Sequence, residues 1–151
     1  MFPCETKEFN TQPTLSIRFR SPVHDLPKHF GRVYGAVMQY LGELGEQPAG
    51  MTYAAYYNMD MQDLDIEIGF FFDKALEGRG DVKPVVYPAM AIASAMHKGP
   101  YDTLNVTYDA LNAWIKEQGD EPTGVVFEFY LNSPQEVPPE EMLTRIEFIL
   151  K

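Results

Sequence analysis

Residues 33–58 read VYGAVMQYLGELGEQPAGMTYAAYYN, and residues 107–132 read TYDALNAWIKEQGDEPTGVVFEFYLN. Laid over one another, the two stretches match at Tyr34 and Tyr108, Ala36 and Ala110, Glu43 and Glu117, and Gly45 and Gly119. The match continues through Pro48 and Pro122, Gly50 and Gly124, Tyr56 and Tyr130, and Asn58 and Asn132. Several mismatches are chemically close, as with Val37 and Leu111, Tyr40 and Trp114, Leu41 and Ile115, or Tyr53 and Phe127. A Gly-x-x-Pro-x-Gly punctuation in register with patterns on both sides is the mark of an internal repeat.

Working outward, each copy has the same grammar. Residues 14–20 alternate, with Leu15, Ile17 and Phe19 on one side, which predicts a strand. Its counterpart is about residues 89–97. A helix follows. In the first copy Leu26, Phe30, Val33, Tyr34, Val37, Leu41 and Leu44 recur at spacings of three and four, one apolar stripe. The second stripe is Leu104, Tyr108, Leu111 and Ile115, with Trp114 at its edge. Asp25 and Pro27 are start signals, and Gly45 and Gly119 suit helix ends that need positive φ. After a Pro/Gly turn come strands at about 51–58 and 125–132, then closing strands at 64–72 and 143–150. Residues 73–87, with Gly78, Gly80 and Pro84, read as a connecting loop with a short edge strand, and 133–141 as a hairpin loop.

A strand–helix–strand–strand unit covers half a sheet, and two such units bury more together than alone. The expectation is a single α+β domain over residues 1–151, with copies at about 14–72 and 89–150. It predicts a curved, mainly antiparallel sheet of about eight strands and two helices on one side, related by a pseudo-twofold axis.

Strand alternation then sorts side chains by face. It is expected to turn Val125, Phe127, Phe129 and Leu131 toward the helix, with Val126, Glu128 and Tyr130 opposite. In the first copy Met51, Tyr53, Ala55 and Tyr57 take the helix side, and Thr52, Ala54 and Tyr56 the other. Glu128 therefore stands among apolar and aromatic residues where the first copy has Ala54. A carboxylate buried there without partners would be costly. Either it reaches solvent, or it pairs with Arg18 or Arg20, or it meets a ligand. Aromatic walls with one acid suit a flat, lipophilic, cationic molecule. Tyr56 and Tyr130 have the alternative of plain sheet packing.

Composition closes off other classes. The chain has 151 residues and a formal net charge of −10, which disfavours direct nucleic-acid binding. The lone Cys4 allows no internal disulfide and no cysteine zinc site. There is no signal peptide and no apolar run of about 18 residues, so no membrane span, and a cytoplasmic setting is expected. His97 reads as a strand-end residue or a pocket rim. Asp60, Asp63, Asp65 and Glu67 lack calcium-loop spacing and read as solvated charges. No metal or cofactor site is expected, and Gly78-Arg79-Gly80 is too short to cradle a phosphate.

Four motifs carry a family resemblance: His97-Lys-Gly-Pro-Tyr-Asp-Thr-Leu, Tyr108-x-x-Leu-x-x-Trp114, Pro122-x-Gly124, and Glu128-Phe-Tyr130-x-Asn132-x-Pro134. Together with Leu143-Thr-x-Ile146, the chain resembles the GyrI-like small-molecule-binding domain, the effector-binding domain of bacterial multidrug-responsive transcription activators. The resemblance implies tandem strand–helix–strand–strand units and a glutamate at the floor of an aromatic pocket, a position that Glu128 matches. With that glutamate as the charge, the expected ligand site is Glu128 with walls from Tyr130, Tyr56 and Trp114 and from Tyr53 or Tyr101, and the stretch before Thr14 is expected to leave no room for a DNA-binding segment. Family members also include hydrolases of reactive cyclopropane compounds, for which Glu128 and Tyr130 would be catalytic, and a gyrase inhibitor, for which a protein partner would matter most. Monomer and homodimer both stay open.

Overall fold

The computed structural model describes residues 4–9, 13–47, 52–72, 74–132 and 136–151. Eight strands and two helices occur among them. In chain order they are β1 (Glu5–Phe9), β2 (Pro13–Ser21), α1 (Leu26–Leu44), β3 (Thr52–Tyr56), β4 (Leu64–Phe71), β5 (Lys83–Val86), β6 (Met90–Lys98), α2 (Leu104–Glu117), β7 (Pro122–Tyr130) and β8 (Leu143–Leu150). The chain divides into two compact units, one of Thr11–Pro88 and one of Met1–Asn10 with Ala89–Lys151.

Each unit repeats the expected strand–helix–strand–strand order and adds one strand that the repeat does not contain. In the Thr11–Pro88 unit the strand order is β3-β4-β2-β5, and in the other it is β1-β6-β8-β7. The pairings within each unit are antiparallel. The short edge strand expected between the copies is β5, which pairs with β2. β1, which pairs with β6, has no signal of its own. Glu5, Lys7 and Glu8 are exposed, so it is recruited by its neighbour's open edge rather than by an apolar stripe. The two leading strands are thus exchanged: the strand before the first copy completes the second, and the strand between the copies completes the first.

The helices end as their glycines dictate. Gly45 caps α1 at φ 71°, and Gly119 stands just past α2 at φ 78°. In the second copy Pro122 opens β7, and the strand's register shifts between Pro122 and Val126, around Gly124. The first copy's Pro48, Gly50 and Met51, and Pro134 of the later loop, lie outside the described residues.

The structure reverses the expected facing of both middle strands. In the second copy Val126 joins Leu111 and Ile115 of α2, along with Ile146 and Phe148, in one core cluster. Glu128 and Tyr130 share the face of Val126, so this trio faces the helix and Phe127 and Phe129 face away. In the first copy Phe70 stacks against Tyr34 of α1 at 5.7 Å, and Phe70 stands opposite Thr52. Thr52, Ala54 and Tyr56 are therefore on the helix side, and Tyr53, Ala55 and Tyr57 are not. The cause is that Val126, Phe127, Glu128 and Phe129 are all buried. Alternation separates two sets of side chains, but where both faces are covered it cannot say which set meets the helix.

On its far face the Thr11–Pro88 unit buries a second carboxylate. Glu67, expected in solvent with its acidic neighbours, is 2% exposed. It accepts hydrogen bonds from Ser16 Oγ, Tyr53 and Tyr57, each at 2.7 Å, and from Tyr87. Asp63 and Asp65 do stay toward solvent, paired with Arg20 and Arg18. The strands close tightly around this network at Gly69, where an added Cβ would lie 2.3 Å from the Leu15 carbonyl oxygen.

Two outcomes follow for denaturant unfolding. Gly69→Ala should destabilise the protein by about 1–3 kcal/mol, because the clash is with backbone. Glu67→Gln should cost about 1–3 kcal/mol, since an amide cannot accept all of these hydroxyl donors. A pH effect belongs to the same network. Burial, more than any other cause, raises the phenols of Tyr53 and Tyr87, and it pushes Tyr57 up to about 12. A folded-state value above the unfolded one of about 10 means the stabilisation is whole below pH ~10 and lost as pH climbs through ~12. Unfolding free energy measured against pH should fall across that window, and ultraviolet titration should show phenols ionising later than in the unfolded chain.

Candidate functional site

The helix side of the second copy carries a carboxylate held by tyrosines. Glu128 is 5% exposed, on β7. Tyr130, two residues along the same strand face, donates to Glu128 Oε1 at 2.8 Å. Tyr108 of α2 donates to Oε2. Its place on the helix follows from the stripe that packs α2 on the sheet. Its ring lies 5.5 Å from Phe148 in an edge contact, which aims the hydroxyl past the core at the acid. Tyr101 occupies the turn Tyr101–Thr103 ahead of α2 and stands edge-on to Tyr130 at 6.0 Å. Burial, and then the charge of Glu128, raise its phenol above the usual value.

His97 fixes that turn. Its Nε2 faces the Pro100 carbonyl oxygen and Thr103 Oγ1, both at 3.1 Å. Its Nδ1 is 2.7 Å from Thr107 Oγ1 on α2. Since a carbonyl can only accept, Nε2 is the donor toward Pro100, and Nδ1 is left to the Thr107 hydroxyl, which can either donate or accept. His97 stands at the end of β6, as expected of a strand-end polar residue, and at 5% exposed it is a buried staple between β6 and α2.

The structure brings together Glu128, Tyr130 and Tyr101 of the expected site. Trp114 packs on the same helix–sheet core as Tyr108. Tyr56 stands on the helix side of the other unit, opposite Ile66. Tyr53 does not reach a helix-side site: it is fully buried on the far face, bonded to Glu67. Arg18 is engaged with Asp65 at 2.8 Å and Arg20 with Asp63 at 2.9 Å, so each has a carboxylate other than Glu128. Tyr108 is the site residue that sequence reasoning missed. Its helical spacing placed it in the core stripe, and the signal that could have found it is the repeat itself, which sets Tyr108 against Tyr34 in a copy that has Ala54 in place of Glu128. Chemically, a carboxylate with two phenols can hold a cation or a hydrogen-bond donor, and can exchange a proton with it. Among the described residues no group of three His, Cys, Asp or Glu side chains is placed to hold a metal. No helix among them is long and apolar enough to cross a membrane.

Comparison with known proteins agrees with this architecture. No curated protein sequence matches the chain. The EcmrR regulator in its DNA complex superposes with a TM-score of 0.81 at 21% identity, covering 99% of this chain and 57% of that one. The C-terminal domain of EcmrR alone gives 0.77 at 21% identity, covering 100% and 98%. A hydrolase from Listeria innocua gives 0.74 at 14% identity over 98% and 91% of the two chains. SAV2435, solved bound to tetraphenylphosphonium, gives 0.66 at 10% identity over 99% and 94%. The chain thus spans little more than half of the whole EcmrR chain, and at these identities the likeness is one of fold. The GyrI-like small-molecule-binding domain family matches residues 2–151, and the chain belongs to that family.

Proposed function

We propose that the chain binds lipophilic, cationic aromatic molecules at Glu128, as an effector- or drug-binding module. The observation that carries this reading is a carboxylate 5% exposed and bonded to two phenols, with a third tyrosine ring beside them. A buried acid is costly unless its charge is compensated, and aromatic faces attract cations without demanding fixed geometry. Tyr130, Tyr101 and Tyr108 supply the rings at Glu128, and Trp114 and Tyr56 extend the aromatic surface on the helix sides of their own units. SAV2435, of the same fold, is a protein solved with such a cation, tetraphenylphosphonium. The acidic balance of the chain favours the same ligands at long range.

Calorimetric titration with tetraphenylphosphonium and with tetraphenylborate, its anionic counterpart of like shape, tests this. The phosphonium should bind and the borate should not. Glu128→Gln should weaken phosphonium binding by about 1–3 kcal/mol, the scale of a lost charged partner. Equal binding of both ions, or an unchanged affinity in the variant, would defeat the reading.

A second reading has one observation in its favour. Tyr108 and Tyr130 donate to opposite oxygens of one carboxylate, an arrangement able to act as base and acid on an electrophile. Hydrolysis would use Glu128 to take a proton from water and a tyrosine to give one to the leaving atom. Mass spectrometry of ligand after incubation separates the two readings. Binding returns it unchanged, whereas turnover consumes it with wild type and not with Glu128→Gln.

A further inference from the structure

Cross-strand registers allow the helix-side surfaces of the two units to be compared row by row. In the Thr11–Pro88 unit the first row is Phe19, Ile66 and Tyr56, and the second is Ile17, Ile68 and Ala54. In the other unit the rows are His97, Thr144 and Tyr130, then Ala95, Ile146 and Glu128. The tyrosine and the central isoleucine are kept. Phe19 is replaced by His97, Ile66 by Thr144 and Ala54 by Glu128. On the helix above, Val33 of the repeat alignment is replaced by Thr107. Four apolar positions of one copy are polar in the other, and all four lie in one corner. The first copy shows that the architecture is satisfied by apolar side chains there, so packing does not call for the polar set.

Three of the four polar groups are accounted for. His97 has Thr107, Thr103 and Pro100, and Glu128 has its phenols. Thr144 is different. It is 0% exposed, and among the described residues its Oγ1 has no hydrogen-bond partner. Its two cross-strand neighbours are already engaged. His97 has both ring nitrogens committed, and the Tyr130 hydroxyl is given to Glu128. A buried hydroxyl left unmatched costs free energy, which an isosteric valine would avoid.

We propose that Thr144 is a specificity-determining residue of the Glu128 site. Its hydroxyl selects, among cationic aromatic ligands, those that also carry a hydrogen-bonding oxygen a few bonds from the cation. Thr144 is the diagonal cross-strand neighbour of Glu128, a spacing of about 7–8 Å between backbones, which one small ligand spans. This rests on the reading of Glu128 as the ligand's charge partner. A permanently charged onium ion with only phenyl groups satisfies Glu128 and leaves Thr144 unmatched. An aromatic amino alcohol satisfies both.

The test uses the full chain, calorimetric titration with propranolol (an aromatic amino alcohol) and with tetraphenylphosphonium, and the variants Thr144→Val, Thr144→Ser and Glu128→Gln. Thr144→Val should weaken propranolol about 10-fold, or about 1.4 kcal/mol, and leave tetraphenylphosphonium within about 2-fold. Thr144→Ser, which keeps the hydroxyl, should retain most of the propranolol affinity. Thermal unfolding of Thr144→Val without ligand should be at or above wild type, since the variant loses an unmatched polar atom. A Thr144→Val that weakens both ligands equally, weakens neither, or unfolds well below wild type overturns the proposal while leaving the role of Glu128 standing. Loss of neither ligand in Glu128→Gln, or no binding by wild type, overturns both.

Discussion

A carboxylate taken out of water must find hydrogen-bond donors or cations inside the protein, and among the described residues that demand is met at Glu67, Glu147 and Glu128. Glu67 is held by one serine and three tyrosine hydroxyls. Glu147, 2% exposed, is held by Lys7 at 3.3 Å and Arg145 at 3.1 Å. Glu128 is held by two phenols. The three solutions differ in consequence. Full-charge partners neutralise Glu147, and in doing so fasten β1 to the sheet. Four hydroxyls around Glu67 make a closed network that fixes Tyr87, and with it the segment after β5. Phenols at Glu128 hydrogen-bond the acid while presenting aromatic surface beside it.

The duplication shows how the polar corner around Glu128 can differ between the copies without endangering the fold. Both copies keep the same helix stripe and the same central Ile–Phe pairs, Ile68 with Phe70 and Ile146 with Phe148. On the helix side of the central strands, the corner near the turn before the helix is where apolar positions become polar. Rigid strands set the Glu128 and Tyr130 positions, and the His97 staple sets the turn that carries Tyr101. The site is therefore built on elements whose placement is decided by core packing elsewhere.

The repeat, the element order within each copy, both helix ends and the strand between the copies were legible in the sequence, because period, Gly/Pro punctuation and self-similarity are local signals, whereas β1 was not, because its side chains are mostly exposed. Glu128 stood out because the repeat set it against Ala54. What was not legible depended on what covers each face. The strands of both copies are buried on two sides, so hydrophobicity could not orient them, and Tyr53 was assigned to the wrong face for that reason. Glu67 looked like its solvated neighbours Asp63 and Asp65, since a sequence shows the acid and not the hydroxyls that gather around it. Tyr108 was hidden because a residue can serve a helix stripe with its ring and a site with its hydroxyl.

The exchange of leading strands also sets a timetable. The Thr11–Pro88 unit is continuous in sequence and complete once its last residue has been made. The other unit is not: Glu5 must pair with Ser94, so β1 waits for its partner until the whole Thr11–Pro88 unit has been made. During that interval β1 is a bare edge. Its exposed Glu5, Lys7 and Glu8 make it a poor template for aggregation, and the Lys7 that keeps it soluble while it waits is the residue that secures it to Glu147 on arrival.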